Sequence, residues 1–220
     1  MKHAVLFDWD GTIADTREVI VATFKQVSRE AGATVSAEFI ERRIGTGAAQ
    51  TFKEILQAGG KHFDDTLIEK LLEKKIQAER NMSSRVKLLP GVLSLLEALH
   101  ERIVLALASM NNRPVIEGLL NSMKIRNLFK VVVTVEDVTK FKPDPEIFLK
   151  CATKLQCKPE ECIVVEDSIF GVQAAKAAGM ECIAVLTGVY SREELKMANP
   201  GLIVNSLTER QRILNFIFSQ

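Results

Sequence analysis

Short apolar runs that end in polar residues recur along this chain, and they restrict its fold more than any other feature. The first run is Ala4–Phe7, and the stretch Asp8-Trp9-Asp10-Gly11-Thr12 follows it directly. Apolar runs of this length, bounded by turn-forming residues, are typical of strands buried on both faces. The same pattern predicts further strands at residues 103–108, 131–135, 162–165, 182–186 and 202–204. Helical periodicity separates these runs, which indicates an α/β fold with a doubly wound parallel sheet.

Residues 16 to about 84 differ from the rest, because they show helical periodicity and contain no strand-like run. Ile20, Phe24 and Val27 recur at the spacing of one helix face. Glycines near residues 45–47 and 59–60 separate this helix from further helical segments. We therefore expect a helical-bundle cap domain, residues 16–84, inserted into a core domain of residues 1–15 and 85–220, with hinges near residues 12–16 and 83–90.

The overall composition is that of an ordinary globular protein. Of the 220 residues 47% are hydrophobic, and the formal net charge is +1. No apolar run approaches the ~20 residues of a membrane span. This balance indicates no nucleic-acid or membrane partner, and the four cysteines form no CxxC pair that would suggest a zinc site. We expect a cytoplasmic protein that is a monomer or a weak homodimer.

Polar side chains follow four of the predicted strands, at the edge of a parallel sheet where ligands bind. They are Asp8 with Asp10, Ser109, Glu136 with Asp137, and Glu166 with Asp167. Adjacent carboxylates raise each other's pKa, and a Mg²⁺ ion removes that cost because it prefers one or two carboxylates with water and a phosphate. Asp8 and Asp167 are the predicted carboxylate ligands. The alternative is that the aspartates near Gly11 are simply turn residues after a strand.

Two further positions are suited to binding a phosphate. Ser109 and the backbone N–H groups that follow it, beginning at Met110, lie at a predicted strand-to-helix turn, where anion sites form. Lys142 lies between Phe141 and Pro143 in a loop that two prolines restrict, and its ammonium can reach a phosphate as a point charge. Phosphoryl transfer requires mostly such positioning and charge neutralisation.

The stretch Asp8-Trp9-Asp10-Gly11-Thr12 resembles the DxDGT signature of the haloacid dehalogenase-like superfamily, whose members are mostly phosphotransferases. The other motifs of that family follow in order: a Ser/Thr after the second strand, a Lys in a KPxP segment, and an acidic pair before Ser168-Ile169-Phe170-Gly171. The resemblance extends over essentially the whole chain. The helical cap is similar to those of phosphoglycolate phosphatase-like and β-phosphoglucomutase-like members. Phe141 stands where the family often has glycine.

This resemblance implies a Mg²⁺-dependent phosphatase that acts on a small phosphorylated metabolite, such as phosphoglycolate or a sugar phosphate. It implies that Asp8 is a nucleophile that forms an aspartyl-phosphate and that Asp10 is the general acid and base. The implied Mg²⁺ ligands are Asp8, the backbone carbonyl of Asp10, and Asp167, with Glu166 in support. The implied phosphate-binding residues are Ser109, Met110 and Lys142. Glu136 and Asp137 match no motif, which favours a surface or cap-closure role.

Two alternatives remain open: a sugar-phosphate mutase of the β-phosphoglucomutase type and a non-catalytic phosphate-binding regulatory domain. The intact pair Asp8 and Asp10 speaks against the second. The β-phosphoglucomutase-like pattern has a histidine on the first cap helix and an arginine just after the cap's glycine turn. This chain has Val19-Ile20-Val21 and Ala48-Ala49-Gln50 there, which favours the phosphatase. Within the cap, Thr16, Arg43 and Gly47 are candidates to face the substrate.

Overall fold

The N-terminal strand lies inside a six-stranded parallel sheet in the computed structural model of the chain, which describes residues 2–219. The strands are β1 (Ala4–Phe7), β2 (Ala14–Asp15), β3 (Lys87–Leu88), β4 (Val104–Ala108), β5 (Val131–Val133), β6 (Cys162–Glu166), β7 (Glu181–Val185) and β8 (Leu202–Val204). The order in the main sheet is β5-β4-β1-β6-β7-β8. Every neighbouring pair in it is parallel, so the predicted doubly wound α/β fold is confirmed.

Helices cover both faces of this sheet and also form a separate bundle. They are α1 (Arg17–Glu30), α2 (Ala37–Glu41), α3 (Ala48–Ala58), α4 (Asp65–Asn81), α5 (Val92–His100), α6 (Arg113–Ser122), α7 (Glu146–Leu155), α8 (Ile169–Ala177), α9 (Arg192–Met197) and α10 (Arg210–Phe218). Helices α1 to α4 form the bundle, and the connection that contains them leaves the sheet after β1 and returns before β4.

Alternate residues of β1 enter two different hydrophobic cores, because successive side chains of a strand point to opposite faces. Val5 and Phe7 pack in a core that includes residues of α5, α6 and α10. Ala4 and Leu6 pack in a second core, on the side of α7 and α8. All four side chains are fully buried. The continuous apolar run of β1 therefore reflects burial on both faces.

The register aligns the carboxyl ends of the three central strands. Phe7 pairs with Leu107 of β4 on one side and with Val165 of β6 on the other. The backbone N–H of Asp8 donates to the carbonyl of Val165 at 3.0 Å. The residues that leave β1, β4 and β6 consequently emerge at one level of the sheet edge, and the functional side chains are among them.

The four-helix bundle has a hydrophobic core of its own. The rings of Phe24 and Phe52 lie at its centre, with centroids 4.8 Å apart. Two of its helices begin at side-chain caps, since Ser36 accepts a hydrogen bond from the N–H of Phe39 and Asp64 accepts one from the N–H of Leu67. Because this core is separate from those of the sheet, we propose that residues 16–84 form a cap domain.

The two connections between the sheet and the bundle pair with each other. Ala14 pairs with Leu88, and Asp15 with Lys87, in a two-stranded antiparallel ribbon formed by β2 and β3. The sequence predicted hinges in these segments but not their pairing, because two-residue strands carry no periodicity.

The last helix begins three residues after the buried Leu207. Helix α10 begins at Arg210 because residues 206–209 form a polar turn in which Glu209 accepts a hydrogen bond from the N–H of Asn205. Within residues 2–219, no helix has the length and apolar character that a membrane crossing requires.

Candidate active site

A buried lysine joins two strand ends at the centre of the sheet edge. Lys142 Nζ donates to Asp8 Oδ1 at 2.6 Å and to Glu166 Oε1 at 2.7 Å. Asp8 follows β1 and Glu166 ends β6, whereas Lys142 comes from the loop before α7. The three residues are at most 3% exposed. The loop lysine that the sequence singled out therefore lies beside the predicted nucleophile.

Asp167 completes the acidic group at this edge. One carboxylate oxygen each from Asp8, Glu166 and Asp167 lies within 4.8 Å of the others. Glycines border Asp167 on two sides, because a Cβ atom at Gly11 or at Gly188 would overlap its carboxylate. The Thr12 hydroxyl lies 3.4 Å from its Oδ1 atom. The absence of side chains at the two glycines is what lets Asp167 reach the group.

Glu166 is held by its own chain as well as by Lys142. Its Oε2 atom accepts hydrogen bonds from the N–H groups of Asp167 and Ser168, both at 2.8 Å, and from the Ser168 hydroxyl at 2.9 Å. Its carboxylate therefore lies over the first turn of α8. A Cβ atom at Gly171 would overlap it, so the predicted motif glycine is required by close approach.

The negative charges of these three carboxylates are only partly compensated by Lys142. Burial raises the pKa of Asp8 well above its usual range, and the charges of Glu166 and Asp10 raise it further, although Lys142 opposes them. The pKa of Asp167 is raised by burial and then by Glu166 and Asp8. Burial lowers the pKa of Lys142, but the charges of Asp8 and Glu166 outweigh that effect and raise it. One lysine among three buried carboxylates leaves an excess of negative charge.

This donor set fits a hard divalent cation. Asp8 and Asp167 offer carboxylate oxygens, and the backbone carbonyl of Asp10 accepts no hydrogen bond from the residues that the structure describes. Oxygen-only sets with one or two carboxylates are those that Mg²⁺ prefers. A cation there would also offset the negative charge that raises the pKa values of Asp8 and Asp167. The Asp10 carboxylate lies outside the three-carboxylate group, as expected if Asp10 contributes its carbonyl.

Asp10 instead faces the cap. It borders a small chamber of about 30 Å³ between cap and core, which we call the cap chamber; Phe24, Arg43, Gly47, Lys75 and Met110 also line it. Asp10 further borders a larger side cavity of about 300 Å³, lined by residues such as Thr16, Arg17, Asp167 and Tyr190. The cap chamber is large enough for one or two water molecules.

The pKa of the Asp10 carboxyl is raised toward neutral pH. Burial raises its pKa from 3.8 to about 6, and the charge of Glu79 adds to this effect. The Thr16 hydroxyl and the charge of Lys75 oppose the increase. Asp10 Oδ1 and Thr16 Oγ1 are both buried without a hydrogen-bond partner among residues 2–219. The hydroxyl therefore lowers the pKa of Asp10 by lying near the carboxyl group, without forming a hydrogen bond to it. A carboxyl with this pKa can both give and take a proton near pH 7.

The turn after β4 presents hydrogen-bond donors toward the same edge. Ser109 is fully buried, and its Oγ accepts from the N–H of Asn111 at 3.1 Å, which leaves its own O–H free to donate. The N–H of Met110 donates to no acceptor in the described part of the chain. Asn112 then precedes α6. This arrangement suits an anion, because adjacent donors lie just before a helix N-terminus.

The acidic pair after β5 does not join the site. Glu136 accepts hydrogen bonds from the N–H of Arg113, at 3.0 and 3.1 Å, and from the amide of Asn112 at 3.1 Å. Asp137 contacts the Arg113 guanidinium and accepts from the N–H of Thr134 at 2.8 Å. Both carboxylates thus hold α6 against the turn that follows β5.

Two of the predicted cap residues lie at the boundary with the core. Arg43 pairs with Glu54, and its guanidinium lies 3.5 Å from the centroid of the Phe39 ring. Gly47 has a φ of 96°, and a Cβ atom there would lie 3.1 Å from the ring of Phe141. The position where the family often has glycine therefore carries a ring that packs against the cap.

Three further residues near Asp10 and Gly11 were not predicted from the sequence to be part of the site. Lys75 and Glu79 of α4 form a buried ion pair at 2.6 Å beside the cap chamber. Thr187 donates to the carbonyl of Gly11 at 2.6 Å from the loop after β7. The i, i+4 spacing of Lys75 and Glu79 was visible, but such pairs are usually solvent-exposed, and nothing in the pattern indicated burial.

A glycine-to-alanine pair tests the close approach at Gly171. We expect Gly171→Ala to lower the free energy of unfolding by roughly 1–3 kcal/mol, because the new methyl group must displace the buried Glu166 carboxylate. Gly118→Ala in α6 is the matched control, since its Cβ atom would meet nothing within 4 Å. It should raise the free energy of unfolding by about 0.5–1 kcal/mol. Equal effects in urea denaturation would contradict the role of Gly171.

The raised pKa of Asp10 predicts a pH-dependent stability of metal-free protein. The unfolded chain releases this proton near pH 3.8 and the folded chain near pH 6. The free energy of unfolding should therefore fall as pH rises through this range, by up to about 3 kcal/mol, and stay low above it. In EDTA at pH 7.5, Asp10→Asn should be more stable than the unmodified protein by roughly 1–3 kcal/mol.

The control for this measurement is Asp15→Asn, which changes an exposed aspartate in the neighbouring ribbon. It should follow the unmodified protein across the pH range in thermal or chemical unfolding. If Asp10→Asn is no more stable than Asp15→Asn at pH 7.5, burial does not raise the pKa of Asp10.

Comparisons with known proteins agree on one family. A family model described as haloacid dehalogenase-like hydrolase matches residues 5–185. The chain is 34% identical over 192 residues to the β-phosphoglucomutase of Bacillus subtilis (strain 168), covering 84% of each protein. It is 30% identical over 182 residues to the fructose-1-phosphate phosphatase of Escherichia coli (strain K12), covering 82% of this chain and 95% of that protein.

A solved structure gives the same result for the three-dimensional fold. The crystal structure of a hydrolase from Pseudomonas syringae matches with a TM-score of 0.89 and 28% sequence identity, covering 98% of this chain and 99% of that one. The match of the family model includes the strands β2 to β7 and all of β1 except its first residue, Ala4. The chain therefore belongs to the haloacid dehalogenase-like hydrolases, and it is an enzyme.

Proposed function

We propose that this enzyme is a Mg²⁺-dependent phosphatase that hydrolyses a small phosphomonoester through an aspartyl-phosphate on Asp8. The observation that carries the proposal is the contact of Lys142 with Asp8, at 2.6 Å, in a buried site that also holds Asp167. A carboxylate next to a fixed ammonium at the ligand edge of the sheet is suited to attack a phosphate whose charge the same lysine partly neutralises.

The proposed first step is attack of an Asp8 carboxylate oxygen on phosphorus. A P–O bond to Asp8 forms while the bond to the leaving oxygen breaks, and Asp10 donates its proton to that oxygen. Asp10 then accepts a proton from the water that attacks the aspartyl-phosphate, which releases inorganic phosphate and restores Asp8. The Asp10 pKa of about 6 supports both roles, since neither protonation state is costly near neutral pH.

Ser109, Met110 and Lys142 are the proposed groups that hold the phosphoryl oxygens. The first offers a hydroxyl, the second an N–H group without an acceptor among the described residues, and the third an ammonium. Asp8, the Asp10 carbonyl and Asp167 would hold Mg²⁺, which would neutralise the repulsion between the nucleophile and a phosphate dianion. Glu166 would keep Lys142 in place.

The cap is proposed to bind the rest of the substrate. Arg43, Gly47 and Lys75 line the cap chamber on the side opposite Met110, and Thr16 borders the side cavity near Asp10. Bending at the β2–β3 ribbon would admit a small phosphorylated metabolite. The cytoplasmic location and the monomer or weak homodimer remain predictions from the sequence.

The nucleophile and the metal are tested together. We expect Asp8→Asn to reduce phosphate release to background with the fold intact, because the amide removes the attacking oxygen and a metal ligand. EDTA should abolish the activity of the unmodified enzyme, and excess Mg²⁺ should restore it. A phosphate-release assay over phosphorylated metabolites, with circular dichroism as the folding check, measures both.

Asp65→Asn, which changes an exposed aspartate at the start of α4, is the matched control for this assay and should retain activity. The assignment of Asp8 would be wrong if Asp8→Asn kept more than a few per cent of turnover. Full activity in chelator would contradict the metal.

A sugar-phosphate mutase is the second candidate, because the B. subtilis relative is named β-phosphoglucomutase. In a mutase, a sugar hydroxyl rather than water must receive the phosphoryl group from Asp8. Ile20 and Ala48 line the cap chamber, and Ala49 and Gln50 follow. These positions offer no histidine or arginine to orient a bisphosphate. We therefore expect water, rather than a sugar hydroxyl, to accept the phosphoryl group from Asp8.

The two candidates are separated by the product of a hexose 1-phosphate with a bisphosphate primer. We expect ³¹P NMR to show inorganic phosphate and no hexose 6-phosphate, for the reason just given. Hexose 6-phosphate that accumulates faster than free phosphate would instead favour the mutase. A reaction without enzyme controls for spontaneous hydrolysis.

A further inference from the structure

One side-chain hydrogen bond connects the loop after β7 to the loop after β1. The hydroxyl of Thr187 donates to the backbone carbonyl of Gly11 at 2.6 Å, although the two residues lie 176 positions apart in the sequence. They meet because β1 and β7 both flank β6 in the sheet. Thr187 is itself anchored, since the N–H of the preceding residue, Leu186, donates to the carbonyl of Val204 at 3.1 Å. The hydroxyl therefore ties Gly11 to the sheet.

Gly11 needs such a restraint because its backbone is unusually free to rotate. Its φ is 79°, in the left-handed region that favours glycine, and glycine loses more conformational freedom on folding than any other residue. Its N–H donates to the carbonyl of Ala14 at 2.9 Å, and its C=O accepts from Thr187. The bond to Ala14 stays within the loop, whereas the bond from Thr187 reaches it from outside and fixes its position relative to the rest of the core.

The direction of the Asp10 carbonyl follows from the way in which Gly11 is held. In a planar trans peptide, the C=O of one residue and the N–H of the next point in opposite directions. Because the N–H of Gly11 points at the carbonyl of Ala14, the Asp10 carbonyl points away from Ala14. Within residues 2–219 this carbonyl accepts no backbone hydrogen bond, and it is the proposed backbone ligand of the cation.

The same hydrogen bond also joins the two backbone segments that border Asp167. A Cβ atom at Gly11 or at Gly188 would overlap Oδ2 of Asp167, so both backbones closely approach that one oxygen. Gly188 directly follows Thr187 in the sequence. The Thr187 hydroxyl therefore sets the separation of the two segments. A change in this separation would move the Asp167 carboxylate or leave it loosely held.

We propose that Thr187 is a positioning residue for the proposed Mg²⁺ site, and that its hydroxyl holds the Asp10 carbonyl and the Asp167 carboxylate in the arrangement that favours Mg²⁺ over Ca²⁺. Mg²⁺ demands near-ideal octahedral geometry, whereas Ca²⁺ accepts more flexible sets of oxygen ligands. A rigid arrangement therefore discriminates between the two ions. This inference rests on the proposed phosphatase function and extends it to the selection of the metal.

Thr187→Val tests the proposal, because it removes the hydroxyl and keeps the branched shape of the side chain. Metal binding to the full chain is measured without substrate, by titration with Mn²⁺ and detection of the free ion by electron paramagnetic resonance, with Mg²⁺ and Ca²⁺ as competitors. We expect Thr187→Val to weaken Mg²⁺ binding by roughly tenfold to a hundredfold, the range typical when a residue that orients metal ligands is lost. Ca²⁺ binding should weaken by less than about threefold, because its geometry is more tolerant.

A rescue variant and a matched control accompany this measurement. Thr187→Ser keeps the hydroxyl, so its Mg²⁺ affinity should stay within about threefold of that of the unmodified enzyme. Thr153→Val is the control, since the Thr153 hydroxyl donates to the carbonyl of Leu149 at 2.9 Å on the exposed surface of α7. It should leave both affinities unchanged. If Thr187→Val fails to fold, Thr187→Ala removes the same hydroxyl with a smaller side chain and takes its place.

Each result decides the proposal. A selective loss of Mg²⁺ affinity in Thr187→Val, with rescue in Thr187→Ser, supports it. An unchanged Mg²⁺ affinity, an equal loss of Mg²⁺ and Ca²⁺ affinity, or a failed rescue by serine overturns it. If the unmodified enzyme bound none of the three ions, the proposal and the metal dependence of the proposed function would both be wrong. Because the measurement needs no turnover, metal binding without phosphate release would count against the phosphatase function alone.

Discussion

The contact of Lys142 with Asp8 and Glu166 is the interaction on which the rest of the site depends. It is buried, and its two distances of 2.6 and 2.7 Å connect the ends of β1 and β6. Breaking a buried pair by removing one partner leaves an uncompensated charge, which is strongly destabilising. The ammonium therefore keeps Asp8 in place in the fold and also places positive charge where a phosphate would arrive. The Lys142 ammonium would thus contribute both to the stability of the fold and to the proposed reaction.

Close approach of backbone and carboxylate makes this arrangement possible. Asp167 fits between Gly11 and Gly188, and Glu166 lies over Gly171. In each case the missing side chain supplies the space that a buried carboxylate occupies. The three acidic side chains can thus gather at a sheet edge that is otherwise tightly packed. Their mutual repulsion is the physical reason why the site suits a divalent cation.

Cap and core contribute different kinds of chemistry. The core supplies the Asp8 carboxylate, the Lys142 ammonium and the donor-rich turn after β4, all on segments that leave the sheet. The cap supplies paired charges, of which Lys75 and Glu79 are the most deeply buried. The core carries an excess of negative charge that suits a cation, and its free N–H and O–H donors suit an anion. The charges of the cap pairs, by contrast, cancel each other. This division would suit the proposed phosphatase, in which the core handles the phosphoryl group and the cap contacts the leaving group.

The sequence by itself determined the α/β class and the positions of Asp8, Asp10, Ser109, Glu166 and Asp167 after strands, because apolar periodicity and strand-end polarity are local properties. It also singled out Lys142 in a loop that two prolines restrict. It also indicated a helical block between the first two strands of the main sheet. Only the tertiary structure decided which strand-end acids meet. Glu136 and Asp137 hold α6, whereas Glu166 and Asp167 join Asp8. The β2–β3 ribbon and the burial of Lys75 with Glu79 likewise depend on contacts between distant segments. Such contacts leave no periodic trace in the chain, since they are set by how whole elements pack.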